Sequence, residues 1–410
     1  MVSVIRASAI RQTLPLLFLF PQIAWSHTWI IFPDGTGDFG TIQAAIDASG
    51  IADTVFVRSG TYYEALDFKG KPIVILGEAS STTILDGSQL ETHLVTFKNG
   101  ETTESVLEGF TIRLSRANAV YCSQASPTIR NNRFVDDLDP CCWGGAILAV
   151  GSPIIEQNIF EANESGGNGG CMALTGGSPI VRKNIFRDNR SRLDGGAILV
   201  DDASGECRIE GNEFWDNVAG DHGGAMEIWS SFGSVSINNN LFVRNVAKGN
   251  DGSGDTGTGG CLSVRGASNI FIENNTFVLN SSINWAACSG GTLLIDDDTN
   301  CRFNRNIIAS SEECAVSCHG QFTGEFQDNL FWGNVPTDIS ANCQADLAHG
   351  SLSADPLFCD PESGDYRVAH KSPALTGPVQ IGAFVDPACD KVPVTHITWG
   401  FLKARFSGNE

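Results

Sequence analysis

From residue 130 onward the chain repeats one arrangement of apolar and polar positions. An Asn-x-Phe signal stands at Asn132-Phe134, Asn158-Phe160, Asn184-Phe186, Asn212-Phe214, Asn240-Phe242, Asn275-Phe277 and Asn329-Phe331, with Asn306-Ile308 as a degenerate copy. Successive Asn spacings are 26, 26, 28, 28, 35, 31 and 23 residues. Three residues before each Asn lies an apolar residue: Ile129, Ile155, Val181, Ile209, Ile237, Ile272, Phe303 and Phe326. Three residues after most of the Phe positions comes a second Asn: Asn163, Asn189, Asn217, Asn245, Asn280 and Asn334.

Between these marks runs a Gly pair, at Gly144-Gly145, Gly169-Gly170, Gly195-Gly196, Gly223-Gly224, Gly259-Gly260 and Gly290-Gly291. Counted from the second Gly, the +2 positions are Ile147, Met172, Ile198, Met226, Leu262 and Leu293, and the +4 positions Ala149, Leu174, Val200, Ile228, Val264 and Ile295. Alternation of this kind marks a strand with one buried face. A unit of such short strands cannot bury its own apolar face, but stacked coils can, each hydrogen-bonding the next about 4.8 Å away. The pattern therefore predicts a β-solenoid with Phe and Ile ladders inside, Asn ladders at the corners and positive φ at the Gly pairs. Leu spacing for a horseshoe and blade-length strand sets for a propeller are absent.

The flanks fit a capped solenoid. Thr41-Ile42-Gln43-Ala44-Ala45-Ile46-Asp47-Ala48 has helical spacing with Thr41 as N-cap, placed to close the first coil. Strands are expected near Thr54–Val57, Ile73–Leu76 and Val106–Ile112. The domain reading is a signal peptide over 1–26, an N-terminal cap and first coils over 27–120, regular repeats over 121–345, a C-terminal cap over 346–390 and a tail over 391–410.

Composition adds the compartment. Arg6 and Arg11, the apolar run Leu14–Ala24 and the small-x-small site Ala24-Trp25-Ser26 read as a secretory leader. Its removal takes the formal charge from −21 to −23. That surface repels nucleic acid and anionic lipid. No later segment has the length of a membrane span, so a secreted or cell-surface address without a transmembrane anchor is expected. Thirteen cysteines suit an oxidising compartment and leave at least one unpaired. Local pairing would join Cys314 with Cys318, Cys343 with Cys359, and Cys122 with Cys141 or Cys142.

Gly195-Gly196-Ala197-Ile198 and Phe186-Arg187-Asp188-Asn189 resemble the paired repeats of chlamydial polymorphic outer-membrane proteins, which are surface adhesins. Asp34-Gly35-Thr36-Gly37-Asp38-Phe39 through Thr41–Ile46 is similar to the N-terminal segment of pectin methylesterases and some pectate lyases. Asp355-Pro356-Leu357-Phe358, Asp365-Tyr366-Arg367, Ser372-Pro373-Ala374 and Ile381-Gly382-Ala383-Phe384 resemble the closing segment of secreted bacterial β-helix proteins. Together they imply an all-β, right-handed parallel β-helix with a short N-terminal capping helix and an irregular C-terminal cap. The resemblance carries over no catalytic motif.

Candidate chemistry gathers where outward positions of adjacent coils turn polar or aromatic. With +2 and +4 inside, the +3 column reads Leu148, Ala173, Leu199, Glu227, Ser263, Leu294, and the +5 column Val150, Thr175, Asp201, Trp229, Arg265, Asp296. The residue before each Gly pair reads Trp143, Asn168, Asp194, His222, Thr258, Ser289. Asp194, Asp201 and Trp229 are candidate substrate-binding residues, Trp229 by stacking on a sugar ring. Arg265, His222 and Glu227 are the catalytic candidates: Arg265 to pair a uronate or, as in pectate lyases, to serve as base, and His222 to move protons. Asp201 and Glu227 could hold Ca²⁺ through hard oxygens. The same residues also fit an ordinary polar outer face. Asp251-x-Ser253-x-Asp255 hints at a calcium loop but lacks the Glu such loops need, so a solvated loop fits better. The function expected is non-catalytic binding of extracellular polysaccharide or surfaces, with a polysaccharide lyase-like enzyme acting on acidic glycans as the alternative.

Overall fold

The computed structural model describes residues 26–249, 258–267, 269–283, 291–296, 299–319, 324–343, 349–377, 379–383 and 389. Residues 1–25, which include most of the expected signal peptide, Asp251-x-Ser253-x-Asp255, Ser289, Gly290, Asp297, Phe384 and the segment from 390 lie outside them. The chain winds as a right-handed parallel β-solenoid. Among the described residues the strands form two twelve-stranded sheets, a ten-stranded sheet and a six-stranded sheet, all parallel, and one antiparallel pair.

A typical coil runs Ile198–Asp201, Glu206–Glu210, Glu213–Trp215 and Val218–Ala219 before the next Gly pair. These strands belong to sheets III, I, II and IV respectively, with sheets I and II the twelve-stranded ones and sheet III the ten-stranded one. The register repeats the sequence columns: Ile155 pairs Val181, Phe160 pairs Phe186 and Phe214 pairs Phe242. Six Phe rings from Phe134 to Phe277 stack at centroid distances of 4.6–5.0 Å, nearly parallel. The predicted strands appear at Thr54–Val57, Val74–Gly77, Val106–Glu108 and Thr111–Arg113.

Both Asn columns are buried hydrogen-bond ladders. In each, the side-chain oxygen of one Asn accepts from the backbone and side-chain N–H groups of the Asn one coil earlier, as Asn184 does for Asn158 at 2.9 and 3.1 Å. The amide nitrogen also donates backward to a backbone carbonyl, as Asn189 does to Phe160 at 3.1 Å. These bonds hold corners that carry local strain. Gln157, Lys183, Asn239 and Arg305, each just before a ladder Asn, take φ of 56–57°, a left-handed conformation that costs a non-glycine residue about 1–2 kcal/mol. A buried amide that finds all its partners returns energy of the same order per bond.

The Gly pairs do more than turn the chain. The first Gly of the pairs at 144, 169, 195, 223 and 259 has φ of 63–72°. A Cβ on Gly195 would run into Ile198 O and the Glu227 backbone, and one on Gly223 into Met226 O. The loop before each pair thus lies flat on the outer side of the strand after it. This corrects the expectation that the +3 column faces solvent: Ala173, Leu199, Glu227, Ser263 and Leu294 are all buried.

The helix Ile42–Ala48 has Thr41 as its N-cap, accepting from Ala44 N–H, and buries Ile42, Ala45 and Ile46 at the first coil. Its free N–H groups at Ile42 and Gln43 also donate to Glu64, a carboxylate well placed at a helix N-terminus. The described part of the closing segment packs along the flank of the solenoid. The hairpin Phe358–Asp360 and Asp365–Val368 brings Tyr366 against Trp215, Leu241, Val243 and Val278 on sheet II. Gly382 N–H and Ala383 N–H bond Arg305 O and Thr276 Oγ1 at 2.8 and 3.0 Å.

The cysteine pairs differ from local pairing. Cys318 joins Cys343, Cys359 joins Cys389, and Cys141 joins its neighbour Cys142; Cys314 is bonded too, and Cys122 is a buried free thiol. In a solenoid the neighbour of a side chain is the residue one coil away. The Cys318–Cys343 separation of 25 residues is that length, whereas Cys359–Cys389 ties the hairpin of the closing segment to the residues after it.

Candidate functional site

Three register-paired strands of sheet III carry most of the predicted residues: Ile198–Asp201, Met226–Trp229 and Leu262–Arg265. Asp201 pairs Trp229, which pairs Arg265, and Glu227 pairs Ser263. The loops ahead of the first two strands, lying across the outer face, bring in Asp194, Asp221 and His222.

Arg265 is the hub. Its Nε donates to Glu227 Oε1 at 2.7 Å and its Nη2 faces Asp194 Oδ2 at 3.3 Å. The guanidinium carbon lies 5.8 Å from the centre of the Trp229 ring, a cation–π contact that steadies the indole. Partial burial lowers the Arg265 pKa, but Glu227, Asp194 and Asp221 outweigh it and push it up. That is the opposite of what a catalytic base requires of arginine.

Glu227 is 0% exposed. Burial pushes its carboxyl up to about 8, with Arg265 opposing and Asp194 adding to the rise. Its second oxygen and the Ser263 hydroxyl are both buried without a well-formed hydrogen bond. Fully buried and bound through Oε1 to the Arg265 guanidinium, Glu227 presents no oxygen to solvent.

His222 sits between two coils. Its backbone N–H donates to Asp194 Oδ1 at 3.1 Å, its Nδ1 lies 2.6 Å from Thr258 Oγ1, and its Nε2 lies 3.4 Å from Asp221 Oδ1. The structure therefore joins Asp194, His222, Glu227, Trp229 and Arg265. Asp201 and Glu227 lie on adjacent strands, Asp201 opposite Trp229 and Glu227 opposite Leu199. Asp201 stands at the strand end beside Trp229, half-buried, its pKa raised by burial and by Asp202.

Sequence columns missed two neighbours. Asp221 is one residue off the column before the Gly pairs and meets His222 by adjacency. Phe232, 76% exposed, follows Trp229, 41% exposed, by three residues in a loop outside the repeat. Farther along the outer face of sheet III, Tyr121 and His93 stack at 4.7 Å.

A family model described as a right handed beta helix region matches residues 91–277. A stretch of 86 residues is 33% identical to the "Probable pectinesterase/pectinesterase inhibitor 17" of Arabidopsis thaliana, covering 20% of this chain and 17% of that protein's length. Among solved structures, the complex of XylC with xylose covers 81% of this chain and 87% of its own, at 10% identity and a TM-score of 0.48. Pectin methylesterase from carrot covers 86% and 97%, at 10% identity and a TM-score of 0.37. A variant of the alginate lyase AlyGC covers 85% and 58%, at 17% identity and a TM-score of 0.44.

Proposed function

We propose that this β-helix is an exported protein that binds extracellular polysaccharide along the outer face of sheet III, without catalysis. The observation that carries the reading is the exposed Trp229 at the end of its sheet III strand, with the Arg265 guanidinium set against the indole and the exposed Phe232 three residues on in the following turn. A pyranose ring packs its C–H face on such a surface, and a steadied indole loses little freedom in doing so. The stacked His93–Tyr121 pair extends the same face. Tyr121 lies on Val120–Ala125, four coil steps from Met226–Trp229, or about 19 Å at strand spacing. That length spans several sugar residues.

The electrostatics favour an uncharged glycan. Asp194 and Asp221 set two carboxylates against the one charge of Arg265, which is already engaged with Asp194 and Glu227. Among the described residues, a uronate would meet no spare cation here. Against catalysis stands the burial of Glu227, which no substrate can touch, and an arginine held in its charged form. The lyase-like alternative draws support from one feature, the grouping of an arginine, two carboxylates and a histidine on adjacent coils.

Purified mature protein should be incubated with neutral and acidic polysaccharides, with and without Ca²⁺, following both retention and new unsaturated ends by ultraviolet absorbance. Retention by a neutral polysaccharide without new absorbance is expected. Calcium-dependent formation of unsaturated ends, abolished in Arg265→Ala, would replace this reading with the lyase.

A further inference from the structure

The loop between the sheet IV strand and the Gly pair keeps one length in three successive coils. Ser165, Ser191 and Ala219 share a register position, and three residues separate each from the first Gly of the pair that follows. Asp139 pairs Ser165, yet four residues, Pro140 to Trp143, separate it from Gly144. The extra residue falls where Cys141 and Cys142 are joined to each other.

This bridge ties no distant part of the chain. A disulfide stabilises a fold chiefly by closing a loop in the unfolded chain, and a sequence separation of 1 leaves almost no loop to close. The turn is held by other means. Asp139 Oδ1 accepts from the Cys141 and Cys142 N–H groups, both at 3.1 Å, and Asp139 Oδ2 from Asn118 Nδ2 at 3.1 Å. Ser165 Oγ donates to Cys142 O at 2.6 Å. Gly166 and Gly167 pass close under the loop, where a Cβ would strike Pro140 O and Cys142 O. None of these contacts involves sulfur.

The sulfurs themselves are open to attack. Among the described cysteines, only Cys141 and Cys142 are exposed; the free thiols Cys122, Cys171, Cys207, Cys261 and Cys301 are all buried. Cys141 Sγ lies 3.5 Å from Asp139 Oδ1. A thiol at that place donates to the carboxylate, a bond that the oxidised sulfur cannot make, and this favours the reduced form.

We propose that Cys141–Cys142 is a redox-active disulfide that opens by exchange with low-molecular-weight thiols while the β-solenoid stays folded. A small thiolate attacks one sulfur. The S–S bond breaks, a mixed disulfide forms, and the other cysteine leaves as a thiolate that takes a proton from water. A second small thiolate attacks the non-protein sulfur of the mixed disulfide, forming the small disulfide and releasing the second cysteine, which is protonated in turn. Two small thiols are oxidised and one protein disulfide is reduced. Exposed sulfurs of this kind exchange readily, whereas buried structural bridges resist.

The test incubates the oxidised mature protein in glutathione buffers of increasing reducing strength, blocks free thiols with N-ethylmaleimide and locates the label by peptide mass spectrometry. Cys141 and Cys142 should both take label, at least roughly 10-fold faster than the buried pair Cys318 and Cys343, with the circular dichroism of the β-solenoid unchanged. The double variant Cys141→Ser, Cys142→Ser should keep the wild-type denaturant midpoint and lose the fast label. Equal rates for the two pairs, labelling of Cys141 and Cys142 only as the β-solenoid unfolds, or their labelling before any reductant is added would each overturn the proposal. So would a clearly lowered midpoint in the double variant, which would make the bridge a structural one. No glycan enters these measurements, so their failure is separate from failure of the polysaccharide reading.

Discussion

Replacing Asp137 by Asn should stabilise the protein, and by more as the pH rises. Asp137 opens the second Asn column, one coil before Asn163, and is fully buried. Its Oδ1 accepts from Ser115 N–H at 2.9 Å, and its own N–H donates to Asn163 Oδ1 at 3.1 Å, as ladder asparagines do. Its Oδ2 has no partner. By the repeat, that oxygen stands where Asn163, Asn189, Asn217, Asn245 and Asn280 each carry the nitrogen that donates to a carbonyl one coil back. A carboxylate cannot donate. Burial pushes the Asp137 carboxyl well above its ordinary 3.8, against the Ser115 hydrogen bonds and aided by Asp136 and Asp86. The native protein therefore keeps a proton there that the unfolded chain releases. A raised folded-state pKa gives stability that is complete below about 3.9 and is lost as pH climbs through the folded value, at about 1.4 kcal/mol per pH unit. An amide removes that loss and carries one donor more than the neutral acid, worth about 1 kcal/mol. The advantage of the Asp137→Asn variant should thus be up to about 1 kcal/mol near pH 4, where the native group is the neutral acid, and should widen as the pH rises through the raised folded value. Denaturant midpoints of both proteins at pH 4, 5.5 and 7 measure it. A variant less stable than wild type at pH 7, or a gap that does not widen with pH, would refute the protonated-ladder argument.

Phe186 stacks between Phe160 and Phe214 at 5.0 and 4.7 Å, so Phe186→Ala should cost roughly 3–5 kcal/mol in urea denaturation. Gly195→Ala and Gly176→Ala separate conformation from crowding, because both have φ near +65° but only Gly195 is crowded by backbone. Gly176→Ala should lose about 1 kcal/mol, and Gly195→Ala distinctly more, in parallel thermal melts. Removing the Cys318–Cys343 bridge by a Cys318→Ser, Cys343→Ser pair of substitutions frees a loop with a separation of 25 residues, and should cost about 3 kcal/mol in the denaturant midpoint.

The Asn and Phe columns could be read directly because a stacked coil demands the same side chain at the same place each time. The columns around the Gly pairs were legible in register but not in exposure. Whether Glu227 faces water depends on the preceding loop lying over it, and that follows from a glycine with no Cβ to hold the loop away. The sheet II flank carried a readable signal in the outward apolar residues Leu241, Val243 and Val278, which foretell a cover; its identity, the Tyr366 hairpin, comes from far along the chain. Phe232 lies outside the repeat, and Asp221 stands in a column whose other members, such as Leu193 and Gly167, carry no charge, so periodicity did not single them out. The disulfides required the coil length at the C-terminal end, where the spacing itself is irregular.

The measurement that bears most directly on polysaccharide recognition is equilibrium binding of a glycan panel to the wild type and the Trp229→Ala, Phe232→Ala double variant, with Trp332→Ala as control. Trp332 is comparably exposed, at 44%, but lies on sheet II. The account predicts a neutral polysaccharide whose affinity falls roughly 30-fold or more in the double variant and is unchanged in the control. Equal affinity in all three proteins, or an equal loss in the control, would contradict it.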